Sequence, residues 1–257
     1  MRTQSPSSIN IYLQCPRRYY YQYILKLPTL PSIHLIRGSV VHKVLECFFT
    51  DSFSEDDIQV KLLLSLKKLW SKENFTTINL TKEETEWYYN ESQMMLINWS
   101  SQFINKLNNL VEKGLTKSEA FKVLTPIVEE HYKSESLNLQ GYIDAIENDN
   151  GKIRLMDYKT SKRFHINKAY QLQLGIYALL YQEKHNKMPD EVGVYFLKDT
   201  EKVLSVTESL INNAKDTVKK IHEATDSKEI CDYSKQKSPL CKWATGQCDF
   251  YNTCSKK

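Results

Sequence analysis

Apolar and polar residues alternate in two neighbouring stretches near the middle of the chain, 137–146 and 153–158. A period of two is typical of β-strands that bury one face of a sheet. Between the stretches lies the segment 148–151, Asn-Asp-Asn-Gly, whose glycine accepts a positive φ at little cost. The pattern therefore predicts two strands joined by a tight turn.

Several longer segments carry apolar residues at spacings of three and four, which is typical of amphipathic helices. The predicted helices cover 40–49, 62–70, 83–110, 167–183 and about 207–221, after two short ones capped by Ser7 or Ser8 and begun at Pro16. Further strands are predicted over 121–132, 192–197 and 203–206, and a surface loop over 223–239. We interpret 51–114 as a helical insertion, in which Trp87, Tyr88 and Tyr89 are expected to pack inside the protein.

The length of 257 residues and the composition predict one globular domain spanning 1–257. Hydrophobic residues make up 41% of the chain, which is enough for a core, and 7 glycines with 7 prolines argue against long disordered segments. No run of about 18 apolar residues occurs, so no membrane span is expected. The first ten residues lack an apolar signal segment, so a cytoplasmic location is expected.

Basic residues outnumber acidic ones by a small margin, 35 to 31, for a net charge of +4. This charge is compatible with a polyanionic partner without requiring one. Local basic clusters occur at 17–18, 159–163 and 256–257. Beside the first cluster stand the tyrosines 19, 20, 21 and 23, which either contact nucleic acid or pack inward on an amphipathic helix.

Three charged side chains are predicted on one face of the two central strands. Side chains alternate along a strand, so Asp157 and Lys159 project the same way. A turn centred near 149–150 places Asp144 on that face too, roughly diagonal to Asp157. Two carboxylates beside an ammonium group are costly unless a cation organises them, and oxygen ligands favour Mg²⁺ or Mn²⁺.

Six cysteines occur, and three of them, Cys241, Cys248 and Cys254, lie within 14 residues. In a chain expected to be cytoplasmic, this spacing indicates a metal site more than disulfides. Thiolates are ligands for iron–sulfur clusters and for zinc, and the spacing alone does not separate the two. Cys47 lies in a predicted helix beside Phe48, and we expect it to be a buried apolar residue.

The order Gly141-x-x-Asp144 followed by Asp157-x-Lys159 resembles the core motif of the PD-(D/E)XK nuclease superfamily. The proline that gives the motif its name is absent, because Ile143 precedes Asp144. Other motifs are similar to those of the RecB-type branch, which includes the CRISPR-associated adaptation nucleases. They are Gly38-x-x-x-His42, Gln173-Leu174-x-x-Tyr177 and Cys15-Pro-Arg-Arg-Tyr19.

The resemblance implies an α/β fold with a mixed central sheet flanked by helices, like the core of restriction endonucleases. It implies that Mg²⁺ or Mn²⁺ is held by His42, Asp144, Asp157 and the carbonyl of Tyr158. Lys159 is expected to orient or deprotonate a water molecule or to stabilise the transition state, and Gln173 and Tyr177 to position the strand. From the strand 121–132, either Glu129 or Glu130 is a further candidate to approach the site.

The same resemblance implies a four-iron four-sulfur cluster held by Cys15, Cys241, Cys248 and Cys254. The spacing C-x5-C fits the family, whereas C-x6-C stands where C-x2-C is usual, so Cys231 is an alternative to Cys241. Such a cluster would join the cysteine-rich tail 231–257 to the N-terminal segment. Zinc is the alternative metal.

The expected function is a metal-dependent DNA nuclease, an exonuclease on single-stranded or end-containing DNA in repair, recombination or CRISPR adaptation. No Walker-type P-loop occurs, so a helicase or an integrase would act as a separate partner. One alternative is a catalytically inactive DNA-binding or assembly subunit with a structural metal cluster. Another is a zinc-containing adaptor without a DNA role, which leaves the charges on the sheet face unexplained.

Overall fold

A five-stranded mixed sheet with helices on both faces forms the centre of the protein. The structure is a computed structural model, and it describes residues 2–50, 57–73, 75, 78, 80–162, 164–243 and 246–255. Its helices are α1 (Pro6–Gln14), α2 (Pro16–Tyr19), α3 (Ile33–Thr50), α4 (Ile58–Trp70), α5 (Lys82–Glu112), α6 (Lys117–Leu124), α7 (Lys168–His185), α8 (Glu208–Ala224) and α9 (Tyr251–Ser255). Its strands are β1 (Ile127–Ser134), β2 (Leu139–Asp149), β3 (Lys152–Lys159), β4 (Glu191–Phe196), β5 (Glu201–Ser205), β6 (Lys242–Trp243) and β7 (Gly246–Gln247).

The strand order in the large sheet is β1-β2-β3-β4-β5. Strands β3 and β4 are parallel, and every other neighbouring pair is antiparallel. Helix α7 connects the parallel pair, because parallel neighbours need a crossover and cannot be joined by a hairpin. The predicted mixed sheet flanked by helices is therefore confirmed, and the predicted strands at 192–197 and 203–206 are β4 and β5.

The predicted tight turn joins β2 to β3. Asn150 and Gly151 form a two-residue loop between the paired residues Asp149 and Lys152. Both loop residues have positive φ, 52° and 90°, and Asn-Gly is the pair that favours such a turn because its twist matches that of the strands. The turn fixes the register of β2 against β3 from the loop to the pair Ala145–Met156.

The two faces of the sheet are covered by different helices. Helices α3 to α6 cover one face, where Phe48 and Trp99 belong to the same apolar cluster as the sheet residue Ala145. Helices α1, α7 and α8 cover the other face, where Leu180 clusters with Leu155 of β3. Burying a large apolar side chain contributes about 1.5–3 kcal/mol, so both layers hold the sheet rigid beneath the charged residues of its strands.

A third apolar cluster joins the N-terminal and C-terminal segments. Tyr19, Tyr20 and Tyr21 are buried in it together with Tyr233 and Phe250. Inward packing of these three tyrosines is therefore confirmed. Tyr233 is fully buried, so the prediction of a surface loop over 223–239 is wrong at this position.

Polar contacts strengthen this junction. The Arg17 Nε donates to the carbonyl of Tyr233 at 2.7 Å, and the Arg18 guanidinium lies 3.2 Å from Asp249 Oδ2. The basic pair 17–18 is thus engaged within the protein.

Two helices begin earlier than the sequence predicts. Helix α1 is capped by Ser5 and not by Ser7 or Ser8. Helix α3 begins at Ile33, well before the predicted start at Val40. Its first turns are held by tertiary contacts, since Arg37 is buried and pairs with Glu91 of α5.

The predicted strand 121–132 is wrong over its first part, because 117–124 is helix α6. Thr116 and Glu119 form a reciprocal capping box at the start of that helix, a signal that stabilises a helix N-terminus. Pro126 disfavours helical backbone at the residue before it, and β1 begins directly afterwards at Ile127.

Helices α4 and α5 occupy most of the segment 51–114, although 51–56 lie outside the described residues. Both contribute to the apolar cluster on the α3 side of the sheet. The division of this segment from the rest as an insertion stays a prediction. Among the described helices, none combines the length and the apolar character that crossing a bilayer would need.

Candidate active site

Strands β2 and β3 part where the acidic residues lie. Their ladder runs from the turn to the pair Ala145–Met156. Beyond it, the carboxylate of Asp144 accepts the backbone N–H of Tyr158 at 2.7 Å, so a side chain takes the place of a backbone acceptor. Continued one step past the pair Ala145–Met156, the register would place Asp144 across from Asp157 and not diagonal to it, because the turn is centred one residue later than predicted.

The regular alternation of β2 breaks at the same position. Ile143 and Ile146 both belong to the cluster on the α7 side, whereas Ala145 belongs to the cluster on the α3 side. On the neighbouring strand, Glu129 has a φ of 50°, which is uncommon outside glycine and marks a strained position. This local irregularity turns the Asp144 carboxylate towards helix α3.

A group of three metal-ligand side chains results. Donor atoms of His42, Glu129 and Asp144 all lie within 4.8 Å of one another, and this is the one such group in the part of the chain that the structure describes. The His42 Nδ1 lies 3.5 Å from Asp144 Oδ2. The sequence left Glu129 and Glu130 as alternatives, and the structure brings Glu129 to the site while Glu130 pairs with Lys184 at 2.8 Å.

Asp157 is held by three other side chains. The Lys159 Nζ lies 2.6 Å from its Oδ2 as an ion pair, off the direction of a hydrogen bond. The Gln173 Nε2 donates to its Oδ1 at 2.7 Å and to the Tyr177 hydroxyl at 2.8 Å, and that hydroxyl donates to the same Oδ1 at 3.4 Å. Gln173 and Tyr177 thus contact Asp157, and Tyr177 is buried.

Gly141 allows this close packing. A Cβ at that position would lie 3.3 Å from Leu180 Cδ1 and 3.4 Å from Tyr177 Cε1. Helix α7 therefore approaches β2 closely enough for Tyr177 to reach the buried Asp157.

The pKa values of the two aspartates are driven apart. Burial raises the pKa of Asp157, and the Asp144 charge raises it further against the Lys159 ammonium. Burial also opposes ionisation of Asp144, but His42, the Tyr158 N–H and Lys159 outweigh it and lower the pKa. Asp144 is therefore the fixed anion of the pair.

The basic groups respond to this negative charge. Burial lowers the pKa of His42, but the contact with Asp144 and the charges of Asp144 and Asp157 raise it overall. Burial likewise lowers the pKa of Lys159, and Asp157 more than reverses this, so the amine stays protonated near neutral pH. Burial and the Asp144 charge both raise the pKa of Glu129.

The donor set fits a hard divalent cation. Glu129 and Asp144 supply carboxylate oxygens and His42 an imidazole nitrogen, whereas Asp157 lies outside this group but close enough for its charge to repel that of Asp144. A divalent cation removes that repulsion, and it stabilises the ionised form of each acid. Ligation by the Tyr158 carbonyl stays a prediction.

An open groove of about 1060 Å³ leads away from this site along α3. Its walls include His42 and Lys159 at one end and His34, Arg37 and Lys162 further along. The groove is larger than pockets for drug-sized molecules, which are roughly 300–1,000 Å³. Arg163 of the predicted basic loop lies outside the described residues, as do 256–257.

The cysteines predicted as cluster ligands gather near the third apolar cluster. The Cys248 N–H donates to the carbonyl of Cys241 at 3.0 Å, and Cys248 and Cys254 pack on the aromatic cluster. Burial raises the pKa of the Cys248 thiol, to which the nearby Cys15 also contributes. Cys231 is exposed and Cys241 is partly buried, and the choice between them as ligand stays a prediction.

The thiols are not gathered as tightly as zinc requires. Zn–S bonds of about 2.3 Å give a tetrahedron with edges of roughly 3.8 Å. Within the described segments, no three of the cysteines have sulfur atoms within 4.8 Å of one another. The thiolates that hold a cluster of several metal ions lie further apart than those that hold one zinc ion. Cys47 is only half-buried, so the expectation that it is a buried apolar residue is wrong.

A family model described as the PD-(D/E)XK nuclease superfamily matches residues 3–255. The Gene 69 protein of Mycobacterium phage L5 is 24% identical over 225 residues, which cover 76% of this chain and 75% of that protein. A subunit of the ATP-dependent helicase/deoxyribonuclease of Clostridium perfringens strain SM101 is 30% identical over 201 residues, covering 67% of this chain and 17% of that subunit. The chain thus corresponds to a small part of that longer relative.

Among solved structures, a protein of Eubacterium rectale that is provisionally named an exonuclease has a TM-score of 0.52. The match covers 92% of this chain and 85% of that chain, at 12% sequence identity. At this identity, the likeness is one of fold.

Proposed function

Because the chain belongs to the PD-(D/E)XK nuclease superfamily, we propose that it is a Mg²⁺- or Mn²⁺-dependent deoxyribonuclease. The observation that carries the proposal is the meeting of Asp144, Asp157 and Lys159 where β2 and β3 part. Hydrolysis of a phosphodiester requires that negative charge on the phosphate be neutralised. Two carboxylates that can hold a cation, with a protonated amine beside them at the end of a groove, meet this requirement.

Four side chains would hold the cation: His42, Glu129, Asp144 and Asp157. When bound, a divalent ion lowers the pKa of a coordinated water molecule and neutralises charge on the scissile phosphate. The rigid sheet holds Asp144 through the Tyr158 N–H, so the ligand is oriented before the cation arrives. Such preorganisation reduces the reorganisation that binding and catalysis require.

Lys159 acts as a fixed positive charge. Its ammonium is held 2.6 Å from Asp157, and the raised pKa of the Lys159 amine keeps it protonated near neutral pH. A protonated amine donates hydrogen bonds and does not accept a proton. Of the roles open from the sequence, stabilising the charged transition state and orienting a water molecule therefore fit the geometry better than deprotonation.

Gln173 and Tyr177 act as positioning residues for Asp157. Both occupy its Oδ1, which leaves Oδ2 facing Lys159 and the site. The resemblance placed these two residues against the DNA strand. Their contacts favour an indirect role, in which they fix the rotamer of a ligand.

We further propose that the substrate is single-stranded or end-containing DNA and that hydrolysis is exonucleolytic. The open groove supports an extended strand. A helicase or an integrase acting in trans is the proposed partner, and repair, recombination or CRISPR adaptation the proposed setting. The first partner is supported by the likeness to part of a helicase/deoxyribonuclease subunit.

We also propose that Cys15, Cys241, Cys248 and Cys254 hold a four-iron four-sulfur cluster. Cys248 and Cys254 pack on the aromatic cluster that joins the two chain segments, and Cys15 lies near the Cys248 thiol. The cluster would link the N-terminal and C-terminal segments and stabilise the folded protein, because it closes a very large loop of the chain.

The test of the nuclease proposal uses purified protein with linear and circular single strands and the matching duplexes. Hydrolysis of linear single strands with Mg²⁺ or Mn²⁺, its loss with EDTA, and its loss in a folded Asp157→Ala variant are expected. An exonuclease leaves circles intact. Retained metal-dependent cleavage by Asp157→Ala would refute the assignment, and binding without cleavage by the wild type would support the inactive-subunit alternative.

A further inference from the structure

Trp87 is exposed near the start of helix α5. Its side chain is 49% exposed, so the expectation that it packs inside the protein is wrong. The other tryptophans of the described helices, Trp70 and Trp99, are buried at 8% and 4% exposure. An exposed indole of this size leaves apolar surface in water that a partner can cover.

Contacts place Trp87 at the rim of the groove. Its ring lies 4.8 Å from that of Tyr88 in an edge-to-face arrangement. The Tyr88 ring in turn packs against His34 and lies under the Arg37 guanidinium, each at 5.5 Å. His34 and Arg37 both line the groove, so the aromatic row continues its wall.

A second set of contacts links Trp87 to the loop beyond the active-site lysine. The Lys162 Nζ lies 5.3 Å from the centre of the Trp87 ring, and Lys162 lines the groove three residues after Lys159. In the described part of the chain, no carboxylate lies within ion-pair distance of Lys162. The Lys162 ammonium group can therefore form an ion pair with a bound anion.

We propose that Trp87 is a stacking platform for an unpaired nucleobase, and that Lys162 binds a phosphate of the same strand. A flat indole beside a free ammonium group matches the alternation of base and phosphate along a single strand. The bases inside a duplex stack on one another, so only the last pair at an end presents a free face. The site therefore selects single-stranded nucleic acid, whatever its sequence.

The inference rests on the proposed function, since it takes the groove to be the path of the substrate. It concerns binding at a distance from the metal ligands, so binding without hydrolysis tests it. If the wild type binds strands but cleaves none, the proposed function fails while the role of Trp87 is still decided.

The affinity test uses the full chain in EDTA and a labelled oligothymidylate of about 12 nucleotides, within the range of roughly 4–16 nucleotides for single-strand sites. Trp87→Ala is expected to weaken binding about 5- to 150-fold, the share of one base–aromatic stack. Leu64→Ala is the matched control, because Leu64 is 62% exposed on α4. A closed circular duplex, which has no terminal base face, should bind wild type and Trp87→Ala alike.

Two further measurements separate stacking from charge. An abasic nucleotide is placed at each position of the strand in turn. At the position that contacts Trp87, it should weaken binding to wild type and leave binding to Trp87→Ala unchanged. Lys162→Ala should reduce the slope of log K against log salt by about 0.7, the value for one phosphate of a single strand. Trp87→Ala should leave that slope unchanged.

Tryptophan fluorescence gives an independent reading. Quenching on addition of the oligonucleotide should disappear in Trp87→Phe and persist in Trp243→Phe, since Trp243 is similarly exposed at 48%. Unchanged affinity of Trp87→Ala, equal losses from the abasic strand in both proteins, or no wild-type binding with or without Ca²⁺ would each overturn the inference.

Discussion

The carboxylate of Asp144 accepts the backbone N–H of Tyr158 at 2.7 Å, one step beyond the last paired residues of β2 and β3. This bond satisfies a donor that the parting strands would otherwise leave free. It also fixes a charged side chain at the fork between the strands. The same hydrogen bond thus accompanies the separation of the strands and fixes the position of the Asp144 carboxylate.

Asp144→Asn should separate these two roles. The amide oxygen can still accept the Tyr158 N–H, so the free energy of unfolding should change little. The negative charge is lost, so hydrolysis should fall by more than the roughly 10–100-fold that outer-shell changes cost at metal sites. Cleavage rates and Mn²⁺ calorimetry measure the loss, with Asp149→Asn, in the exposed turn, as the control. Wild-type Mn²⁺ affinity in Asp144→Asn would contradict the ligand role.

Lys159→Met should make stability depend on the metal. Removing the ammonium leaves the buried Asp157 without its cation, which we expect to cost about 1–3 kcal/mol, below the value for a fully buried pair because Asp157 can bind a proton. Mn²⁺ should recover more stability in this variant than in the wild type. Urea unfolding with and without Mn²⁺ is the measurement, and Lys162→Met is the control. Equal gains in all three proteins would argue against a shared site.

Glu191 should make a pH-dependent contribution to stability away from the site. Ion pairs with Lys152 at 2.7 Å and Arg154 at 2.8 Å lower the pKa of its carboxyl below the ordinary 4.5. A lowered folded-state pKa stabilises the protein above pH 4.5, and this is lost as the pH falls through the folded-state value. Glu191→Gln should therefore be less stable than wild type at pH 7 by no more than about 1 kcal/mol.

The difference between wild type and Glu191→Gln should vanish in acid, once Glu191 is protonated in the folded protein. Urea unfolding at both pH values measures it. A difference that grows in acid would show that the ion pairs do not set the stability.

The cysteine proposal predicts a coloured protein. Anaerobically purified wild type should be brown, with absorbance near roughly 400 nm from charge transfer between sulfur and iron. Cys248→Ser should lose the colour and unfold more readily, and Cys231→Ser should keep both. A colourless wild type that retains zinc would favour the alternative metal, and loss of colour in Cys231→Ser would exchange the roles of Cys231 and Cys241.

Local sequence signals predicted the elements that carry most of the site. Alternating residues and the Asn150-Gly151 turn specify β2 and β3, because the turn geometry and the period of two agree. The predicted helices 167–183 and 207–221 are α7 and α8, whose N-caps are Asn167 and Thr207. Such segments can be predicted from the sequence because their local conformational preferences agree with the overall fold.

Other features depend on distant parts of the chain and have no local signal. The position of Glu129 depends on a backbone at positive φ and on pairing with β2. The earlier start of α3 depends on Arg37 meeting Glu91, 54 residues away. The exposure of Trp87 reflects where the first turns of α5 lie relative to the groove. Helix α6 does have a local signal, the capping box of Thr116 and Glu119. The prediction of a strand there followed the β-branched residues further along the segment instead.

The aromatic junction has a consequence for biosynthesis. Tyr19 lies among residues that follow it by more than 200 positions, and the buried Gln4 bonds to Thr225. These groups can therefore find their partners only after residues 225–250 have left the ribosome, since distant pairings form late. Products truncated before these residues would expose the N-terminal half of the aromatic junction to proteases.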